Sequence, residues 1–223
     1  MPTSRHERAL RRAGYRAVAG LDEAGRGALF RPVFAAAVIL NPEKPIRGLD
    51  DSKQLAPQRR EVLAQRVRER AAAWAVAAAD PFEIDRWNIL EAARLAMRRA
   101  VELLPAPCDC LLVDAVRLDL DLPQKALIHG DALCFSIAAA SILAKVARDA
   151  ALEAWDTVFP GYGFKDNKGY GTPEHLAALE RMGPTTLHRF SFEPVRNAAS
   201  RQSRYQAWIG YPVPEQGELF ACP

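Results

Sequence analysis

The sequence predicts an α/β domain followed by a smaller, mostly helical tail. Short apolar runs bounded by proline, glycine or acidic residues alternate with longer segments of helical periodicity, and this alternation is typical of a sheet flanked by helices. We therefore expect a single domain over residues 1–223, with an α/β core at about 13–156 and a mostly helical segment at about 157–210.

Composition limits the class of protein. A chain of 223 residues that is 49% hydrophobic can bury one sizeable core. Its net charge of +3 permits a nucleic-acid partner without singling one out. The longest apolar run, residues 33–40, is too short to span a bilayer, and the first residues lack the apolar centre of a signal peptide. We expect a cytoplasmic protein without a membrane span, whose four cysteines are free thiols because they form no C-x-x-C pair.

Four strands are predicted from short apolar runs. Residues 15–21 lead into an acidic pair and a glycine turn, and residues 33–40 lie between prolines. These two runs suggest a hairpin. The other two predicted strands are residues 74–79 and Cys110–Asp114.

Helical periodicity predicts four helices, over residues 52–70, 83–104, 131–155 and 172–182. Asp131 is the predicted N-cap of the third helix, which is apolar nearly all round at its start and therefore should lie buried against the sheet. The fourth helix has Thr172 as its N-cap and Pro173 in its first turn, and Gly183 marks its end.

Acidic residues follow two of the predicted strands. Asp22 and Glu23 come directly after the first strand, and Asp114 closes another. Several carboxylates aimed at one point repel each other unless a cation neutralises them, and Mg²⁺ prefers such oxygen ligands. The alternative is that each acid only caps a turn or a helix.

Asp149 has a simpler explanation when it is considered alone. It lies four residues after Lys145, so the two side chains can form an ordinary helical salt bridge. Glu153 lies one turn further on and competes with Asp149 as a possible metal ligand. Spacing alone does not show that any of these acids converge.

Six segments, in order, resemble the motifs of the type 2 ribonuclease H family. Its first motif, D-E-A-G-R-G-x-x-x-G-P-V, is similar to residues 22–27 with Pro32 and Val33. The Gly-Arg-Gly of that motif favours the HII branch of the family over the HIII branch. The other matching segments are residues 51–55, 113–114, 137–149, 168–172 with His175, and 188–189 with 191–192.

This resemblance, which covers residues 15–196, implies a ribonuclease H-like fold: a central mixed sheet flanked by helices, with a C-terminal helical segment. It also implies a metal-dependent endonuclease that cuts the RNA strand of RNA/DNA hybrids and single ribonucleotides embedded in duplex DNA, leaving a 3′-hydroxyl and a 5′-phosphate. We expect this endonuclease to be a monomer. The acidic residues at the family's catalytic positions, which would bind Mg²⁺ or Mn²⁺, are Asp22, Glu23, Asp114 and Asp149.

Two rival functions remain open at this point. Another metal-dependent nuclease of the same superfold would share the carboxylate chemistry, but it would not explain the Gly-Arg-Gly and Lys-Gly-Tyr-Gly segments together. A noncatalytic hybrid-binding protein would be expected to lack one or more of the acids, and all four are present.

The resemblance also assigns residues that contact nucleic acid. Gly25, Arg26 and Gly27 would approach the 2′-hydroxyl of a ribose, and Tyr170 would stack on the next sugar. The alternative is a tight turn with a buried aromatic residue. The candidate phosphate contacts, each of which could instead be a solvated surface charge, are Lys53, Lys145, Lys168 and Arg189. An excess of arginine between residues 181 and 204 suggests that the tail faces nucleic acid.

Five residues depart from the family pattern without removing an acid. These residues are Ala28, Arg31, Ala115, His129 and Phe190. Their departures are expected to affect substrate affinity and loop geometry more than the chemistry. Glycine is usual at the positions of Arg31 and Ala115. If the glycine at position 31 normally adopts a positive φ, Arg31 should strain or reshape its loop.

Overall fold

The structure is a computed structural model, and it describes residues 2–201. These residues divide into two compact units. The first unit contains residues 2–24, 34–78 and 93–148, and the second contains residues 25–33, 79–92 and 149–201. The second unit therefore includes residues 25–33 and 79–92, which no sequence pattern groups with the C-terminal segment.

Within the described residues the chain forms five strands and nine helices. The strands are β1 (Val18–Ala24), β2 (Val33–Ile39), β3 (Ala73–Ala79), β4 (Cys110–Asp114) and β5 (Gln124–Leu127). The helices are α1 (Arg5–Arg12), α2 (Pro57–Arg70), α3 (Pro81–Trp87), α4 (Ile89–Glu102), α5 (Gly130–Leu133), α6 (Phe135–Val158), α7 (Phe164–Asn167), α8 (Pro173–Met182) and α9 (Glu193–Ser200).

The strands form one mixed sheet in the order β3-β2-β1-β4-β5. β1 pairs antiparallel with β2 and parallel with β4, and β4 pairs parallel with β5. The four strands predicted from apolar runs are present, and the antiparallel pairing of the first two is confirmed. The predicted end of the first strand at Leu21 is wrong, because β1 continues to Ala24 along β2 and therefore contains Asp22 and Glu23. The sheet flanked by helices confirms the predicted fold class.

The strand β5 was not predicted, because its pattern carries no apolar signal. It lies at the edge of the sheet, and only Leu127 of its four residues is buried. A short edge strand needs little burial on either face. Hydrophobic periodicity is therefore a poor guide to strands of this kind.

The single helix predicted over residues 83–104 is wrong, because the chain forms two helices, α3 and α4. Between them, Asn88 has a left-handed φ of 70°. Its side-chain oxygen accepts hydrogen bonds from the backbone N–H groups of Leu90 and Glu91 at 2.9 and 3.1 Å. Asparagine tolerates this conformation and caps helices well, so it both interrupts one helix and begins the next.

The predicted start of the long helix at Asp131 is also wrong. Asp131 lies inside the short helix α5, and Cys134 adopts an extended conformation that separates α5 from α6. By contrast, Thr172 is the N-cap of α8 as predicted, and its side chain accepts a hydrogen bond from the N–H of His175.

Helix α6 packs closely against the sheet, as its apolar sequence predicts. Residues 137–144 are buried, and several of them share one apolar cluster with β2 and α2. The approach is closest at Gly20 in β1, where an added Cβ would lie 2.2 Å from the carbonyl carbon of Ser136. Only glycine fits there, so the contact fixes α6 relative to β1.

The second unit has its own apolar core. Phe30 stacks on Phe164 with ring centroids 3.8 Å apart, and Leu152, Tyr162 and Val195 belong to the same buried cluster. Aromatic burial of this kind stabilises a small unit strongly. The segment 25–33 is thereby held against the C-terminal helices.

No helix within residues 2–201 is long and apolar enough to cross a membrane. Of the four cysteines, Cys108, Cys110 and Cys134 are free thiols as predicted. Cys222 lies outside the described residues, as does Arg204 of the predicted basic stretch.

Candidate active site

The parallel pairing of β1 and β4 brings two of the predicted catalytic acids together. Leu21 is in register with Val113, and the next residues along the two strands are Asp22 and Asp114. Neighbouring parallel strands point residues in register to the same face of a sheet. Two carboxylates that are 92 residues apart in sequence, the difference between 114 and 22, thus lie side by side.

Asp22 is buried in an unfavourable environment for its charge. Only 5% of the residue is exposed. Burial raises the pKa of its carboxyl well above the ordinary value, and the negative charges of Glu23 and Asp114 raise it further. Hydrogen bonds from the Ser141 hydroxyl and from the Glu23 backbone N–H, the latter at 2.7 Å, oppose this rise without cancelling it. The Asp22 carboxyl therefore resists ionisation in the folded chain, and a divalent cation beside it would favour the charged form.

Asp114 is oriented by the start of α5. The backbone N–H of Gly130 donates a hydrogen bond of 2.7 Å to its Oδ1 atom. A Cβ at Gly130 would lie 3.3 Å from the same oxygen and 2.6 Å from Ile137. Glycine is thus needed at position 130 for this close approach.

Further charges surround this pair within the first unit. The pKa of Asp131 is raised by burial and by the nearby carboxylates of Asp51 and Asp114. Partial burial lowers the pKa of Lys53, but the negative charges of Asp131, Asp51, Asp22 and Asp114 outweigh that effect and raise it. Lys53 therefore lies in the field of the acids, where its ammonium group partly balances them.

The donor set suits a hard divalent cation. In the part of the chain that the structure describes, no three Asp, Glu, His or Cys side chains form a ready-made metal cage. Mg²⁺ rarely uses such a cage, because it keeps several waters and binds through one or two carboxylates together with substrate phosphates. The paired oxygens of Asp22 and Asp114, whose repulsion a cation would relieve, match that requirement.

Asp149 and its competitor Glu153 both lie in α6 and belong to the second unit. Glu153 is exposed, and one of its oxygens lies 3.1 Å from the Nζ atom of Lys168. Asp149 is half-buried. The ion pair gives Glu153 a surface role, so Asp149 remains the predicted fourth acid.

The Gly-Arg-Gly loop and Tyr170 meet within the second unit. Ala28 and Tyr170 form an antiparallel bridge, and the N–H of Leu29 donates to the carbonyl of Gly169 at 2.8 Å. A Cβ at Gly27 would lie 3.8 Å from Cε1 of the Tyr170 ring. The Tyr170 side chain is partly exposed, so the predicted alternative of a buried aromatic residue does not apply.

The prediction that Arg189 contacts phosphate is wrong. Arg189 is fully buried. Its Nε donates to the carbonyl of Arg31 at 2.9 Å, and its Nη1 donates to the carbonyl of Arg26 at 2.8 Å. A guanidinium group enclosed in this way cannot reach a phosphate, and it holds the Gly-Arg-Gly loop from behind. Sequence alone does not distinguish a buried arginine from an exposed one.

Arg31 adopts a left-handed conformation, with a φ of 74°, which is the condition under which strain was predicted for its loop. Its guanidinium group stacks on Trp155 at 3.7 Å from the ring centroid. Burial of the side chain lowers the pKa of Arg31 to about 10. The family's usual glycine has thus been replaced by a residue whose stacking offsets the backbone strain.

Ala115 carries the same strain without such an interaction, because it has a φ of 55° and is exposed. We expect Ala115→Gly to increase the free energy of unfolding by about 0.5–1 kcal/mol, since glycine adopts this conformation without steric cost. Thermal and urea unfolding measure the change.

Ala150→Gly is the matched control for this prediction. Ala150 is also exposed but lies within α6, and the same chemical change there should decrease the free energy of unfolding by about 1 kcal/mol. Equal effects at both positions would show that the conformation of Ala115 is unstrained.

Several residues of the site were not predicted from sequence. Ser141 contacts the Asp22 carboxyl and lies 2.8 Å, between hydroxyl oxygens, from Ser52 of the Asp-Ser-Lys segment. His175 and His188 form a buried pair. Both serines fall inside matching motifs, but only the fold shows that they meet.

The chain is similar to known proteins along most of its length. The family model for Ribonuclease HII matches residues 19–195. A Ribonuclease HII of Solibacter usitatus is 65% identical over 191 residues, which is 85% of this chain and 83% of the relative. A ribonuclease H2 structure from Pyrococcus horikoshii has a TM-score of 0.70 at 28% identity and covers 83% of this chain and 98% of its own. A PCNA complex of RNase HII from Archaeoglobus fulgidus has a TM-score of 0.68 at 25% identity, with 80% and 96% covered.

Proposed function

Because the chain belongs to the ribonuclease HII family and is a ribonuclease H endonuclease that depends on a divalent metal, we propose that it cuts both RNA/DNA hybrids and single ribonucleotides embedded in duplex DNA. Cleavage leaves a 3′-hydroxyl and a 5′-phosphate. The observation that carries the proposal is the buried carboxyl of Asp22 beside Asp114, whose pKa is raised by burial and by the neighbouring acids. Acids arranged in this way are typical of phosphodiester chemistry assisted by metal ions.

The proposed metal ligands are Asp22, Glu23, Asp114 and Asp149, and the proposed ions are Mg²⁺ or Mn²⁺. Such ions, when bound, activate a water and stabilise the leaving oxygen. The chain's own contribution is orientation. The Ser141 hydroxyl and the Gly130 N–H hold the Asp22 and Asp114 carboxylates by hydrogen bonds. Glu23 and Asp149 are assigned by their positions in the family motifs.

We propose that Gly25, Arg26 and Gly27 read the ribose together with Tyr170. The bridge between Ala28 and Tyr170, with Gly27 facing the aromatic ring, supports this assignment. Because Gly25 and Gly27 have no side chain, the backbone at these two positions can come close to a 2′-hydroxyl, the group that distinguishes RNA from DNA.

The proposed phosphate contacts are Lys53, Lys145 and Lys168. Lys53 is exposed, and the other two are half-buried. Lys168 shares its charge with Glu153 on the surface, where such a pair contributes little to stability, about 0–1 kcal/mol, and can be exchanged for a phosphate. We further propose that the protein acts as a monomer in the cytoplasm.

A substrate panel tests this function. Purified protein is incubated with Mg²⁺ and four labelled 20-mers: an RNA/DNA hybrid, duplex RNA, single-stranded RNA and duplex DNA. We expect cleavage of the hybrid alone. Cleavage of duplex DNA, or of free RNA as fast as the hybrid, would point to another nuclease of this superfold.

A further inference from the structure

Two buried histidines form a continuous chain of hydrogen bonds that ends on Tyr170. The backbone N–H of Thr185 lies 2.9 Å from Nδ1 of His188. Nε2 of His188 lies 3.1 Å from Nε2 of His175, and Nδ1 of His175 lies 2.8 Å from the carbonyl oxygen of Tyr170. Both histidines are fully buried, and all four residues belong to the second unit.

The direction of every hydrogen bond in this chain can be assigned. A backbone N–H can only donate, so Nδ1 of His188 accepts and Nε2 carries its proton. That proton is donated to Nε2 of His175, whose own proton is therefore on Nδ1 and is donated to the Tyr170 carbonyl. The arrangement requires two neutral imidazoles in opposite tautomers.

The buried setting favours these neutral forms. Burial lowers the pKa of His188 to about 3, with the neighbouring His175 as the second cause. Burial also lowers the pKa of His175, against a small rise from its bond to Tyr170. The aromatic rings of Tyr162 and Phe164 lie beside both histidines and provide no charge that would stabilise an imidazolium.

Arg189, the residue after His188, contacts the segment that contains the Gly-Arg-Gly loop. Arg189 donates from its side chain to the carbonyls of Arg26 and Arg31, and from its backbone N–H to the carbonyl of Leu29 at 2.9 Å. His188 itself bridges to Phe30. Consecutive residues thus hold Tyr170 on one side and the Gly-Arg-Gly loop on the other.

The two residues that follow Arg189 are held by an acid from α3. The carboxylate of Asp85 accepts hydrogen bonds from the backbone N–H groups of Phe190 and Ser191 at 2.9 and 2.8 Å, and from the Ser191 hydroxyl at 2.6 Å. Three donors on one carboxylate leave the segment after Arg189 little freedom.

We propose that His188 and Arg189, with His175 as the link, form a bracket that sets the separation of Tyr170 from the Gly-Arg-Gly loop and thereby the selectivity for an isolated ribonucleotide. This inference rests on the proposed function of Tyr170. The three bracket residues are positioning residues, because they are buried behind the loop and act through the residues that meet the substrate.

The test compares two substitutions of His175. His175→Phe keeps an aromatic ring but removes the donor to the Tyr170 carbonyl, whereas His175→Asn retains an N–H at the position of Nδ1. The readout is the ratio of cleavage rates for a single embedded ribonucleotide and a long hybrid. We expect His175→Phe to lower the ratio about two- to tenfold, the loss of one hydrogen bond, and His175→Asn to restore most of it.

A double mutant separates positioning from general damage. In a Tyr170→Ala background, His175→Phe should cause no further change in the ratio, because its effect passes through Tyr170. An unchanged ratio for His175→Phe alone, or the same decrease in both backgrounds, overturns the inference. Thermal unfolding of each variant identifies losses that come only from instability.

A measurement on the unmodified protein does not depend on any variant folding. Nitrogen NMR of labelled histidines at pH 7 should show His175 protonated on Nδ1 and His188 protonated on Nε2. A charged imidazole, or the same tautomer at both positions, overturns the bracket. A failure of the proposed function can be distinguished from a failure of this inference. In the former case the unmodified protein would cut neither substrate, whichever tautomers its histidines adopt.

Discussion

Asp22→Asn is expected to lose cleavage of every substrate while the protein stays folded. The amide oxygen can still accept the hydrogen bond from the Glu23 N–H, so the local structure is retained. The negative charge that attracts a divalent cation is lost, together with several kcal/mol of charge stabilisation, which corresponds to a rate decrease of roughly 10³-fold or more. Single-turnover cleavage of a hybrid in Mg²⁺ measures the loss, and Asp114→Asn should behave alike.

The same substitution should stabilise the metal-free protein at neutral pH. Because the pKa of Asp22 is raised by folding, the carboxyl favours the folded state below about pH 3.8 and loses that contribution as pH rises through its raised pKa. Asparagine avoids this loss. The unfolding temperature of Asp22→Asn in EDTA should therefore exceed that of the unmodified protein at pH 7, and the difference should shrink toward pH 4.

Asp121→Asn is the control for both measurements. Asp121 is exposed, lies in the loop between β4 and β5, and is not among the charges that raise the pKa of Asp22, so its substitution should change neither cleavage nor the pH dependence of stability. Appreciable Mg²⁺-dependent cleavage by Asp22→Asn would contradict the assigned role of this acid. Destabilisation at pH 7 would show that its charge is already compensated in the folded chain.

Tyr170→Ala should reduce cleavage at a single embedded ribonucleotide more than cleavage of a long hybrid. At an isolated ribonucleotide one sugar must be recognised next to DNA, whereas a long hybrid offers many registers and many 2′-hydroxyl groups. Loss of one stacking surface, worth about 1–3 kcal/mol by analogy with base stacking, corresponds to a roughly five- to 150-fold decrease on the single-ribonucleotide substrate. Tyr170→Phe keeps the ring and should retain most of the selectivity. An equal loss on both substrates would reduce Tyr170 to a packing role.

Lys168→Ala should affect both substrates alike. A lysine that contacts phosphate contributes to affinity for any sequence, and its removal should lower the slope of log affinity against log salt by about one. Tyr170→Ala should leave that slope unchanged, because tyrosine releases no counterions. Binding measured at several salt concentrations separates the two roles. An unchanged slope for Lys168→Ala would mean that its ammonium group, which pairs with Glu153, does not contact phosphate.

The central strands and their acids could be predicted because local signals coincide there. An apolar run that leads to a carboxylate identifies both β1 with Asp22 and β4 with Asp114, although β1 continues beyond Asp22 to Ala24. Their adjacency could not be predicted from spacing, since it depends on the parallel pairing of strands far apart in sequence. Only the resemblance to the family motifs led to the prediction that all four acids lie together.

Other features were missed because they depend on buried polar groups. Arg189 appears in sequence as one of several tail arginines, yet it is enclosed by main-chain carbonyls. His175 and His188 are 13 residues apart, and nothing local indicates that their rings meet. Asn88 resembles an ordinary helix residue until its positive φ is seen. Tertiary contacts decide each of these cases.

Cleavage of a DNA duplex that contains one ribonucleotide tests the central claim most directly. Protein is incubated with this duplex and with a matched all-DNA duplex, in Mg²⁺ and in EDTA, and the ends of the product are identified. We predict one cut at the ribonucleotide in Mg²⁺ only, with a 3′-hydroxyl that a polymerase can extend and a 5′-phosphate on the other fragment. Cleavage in EDTA, cleavage of the all-DNA duplex, or an intact ribonucleotide duplex in both Mg²⁺ and Mn²⁺ would contradict it.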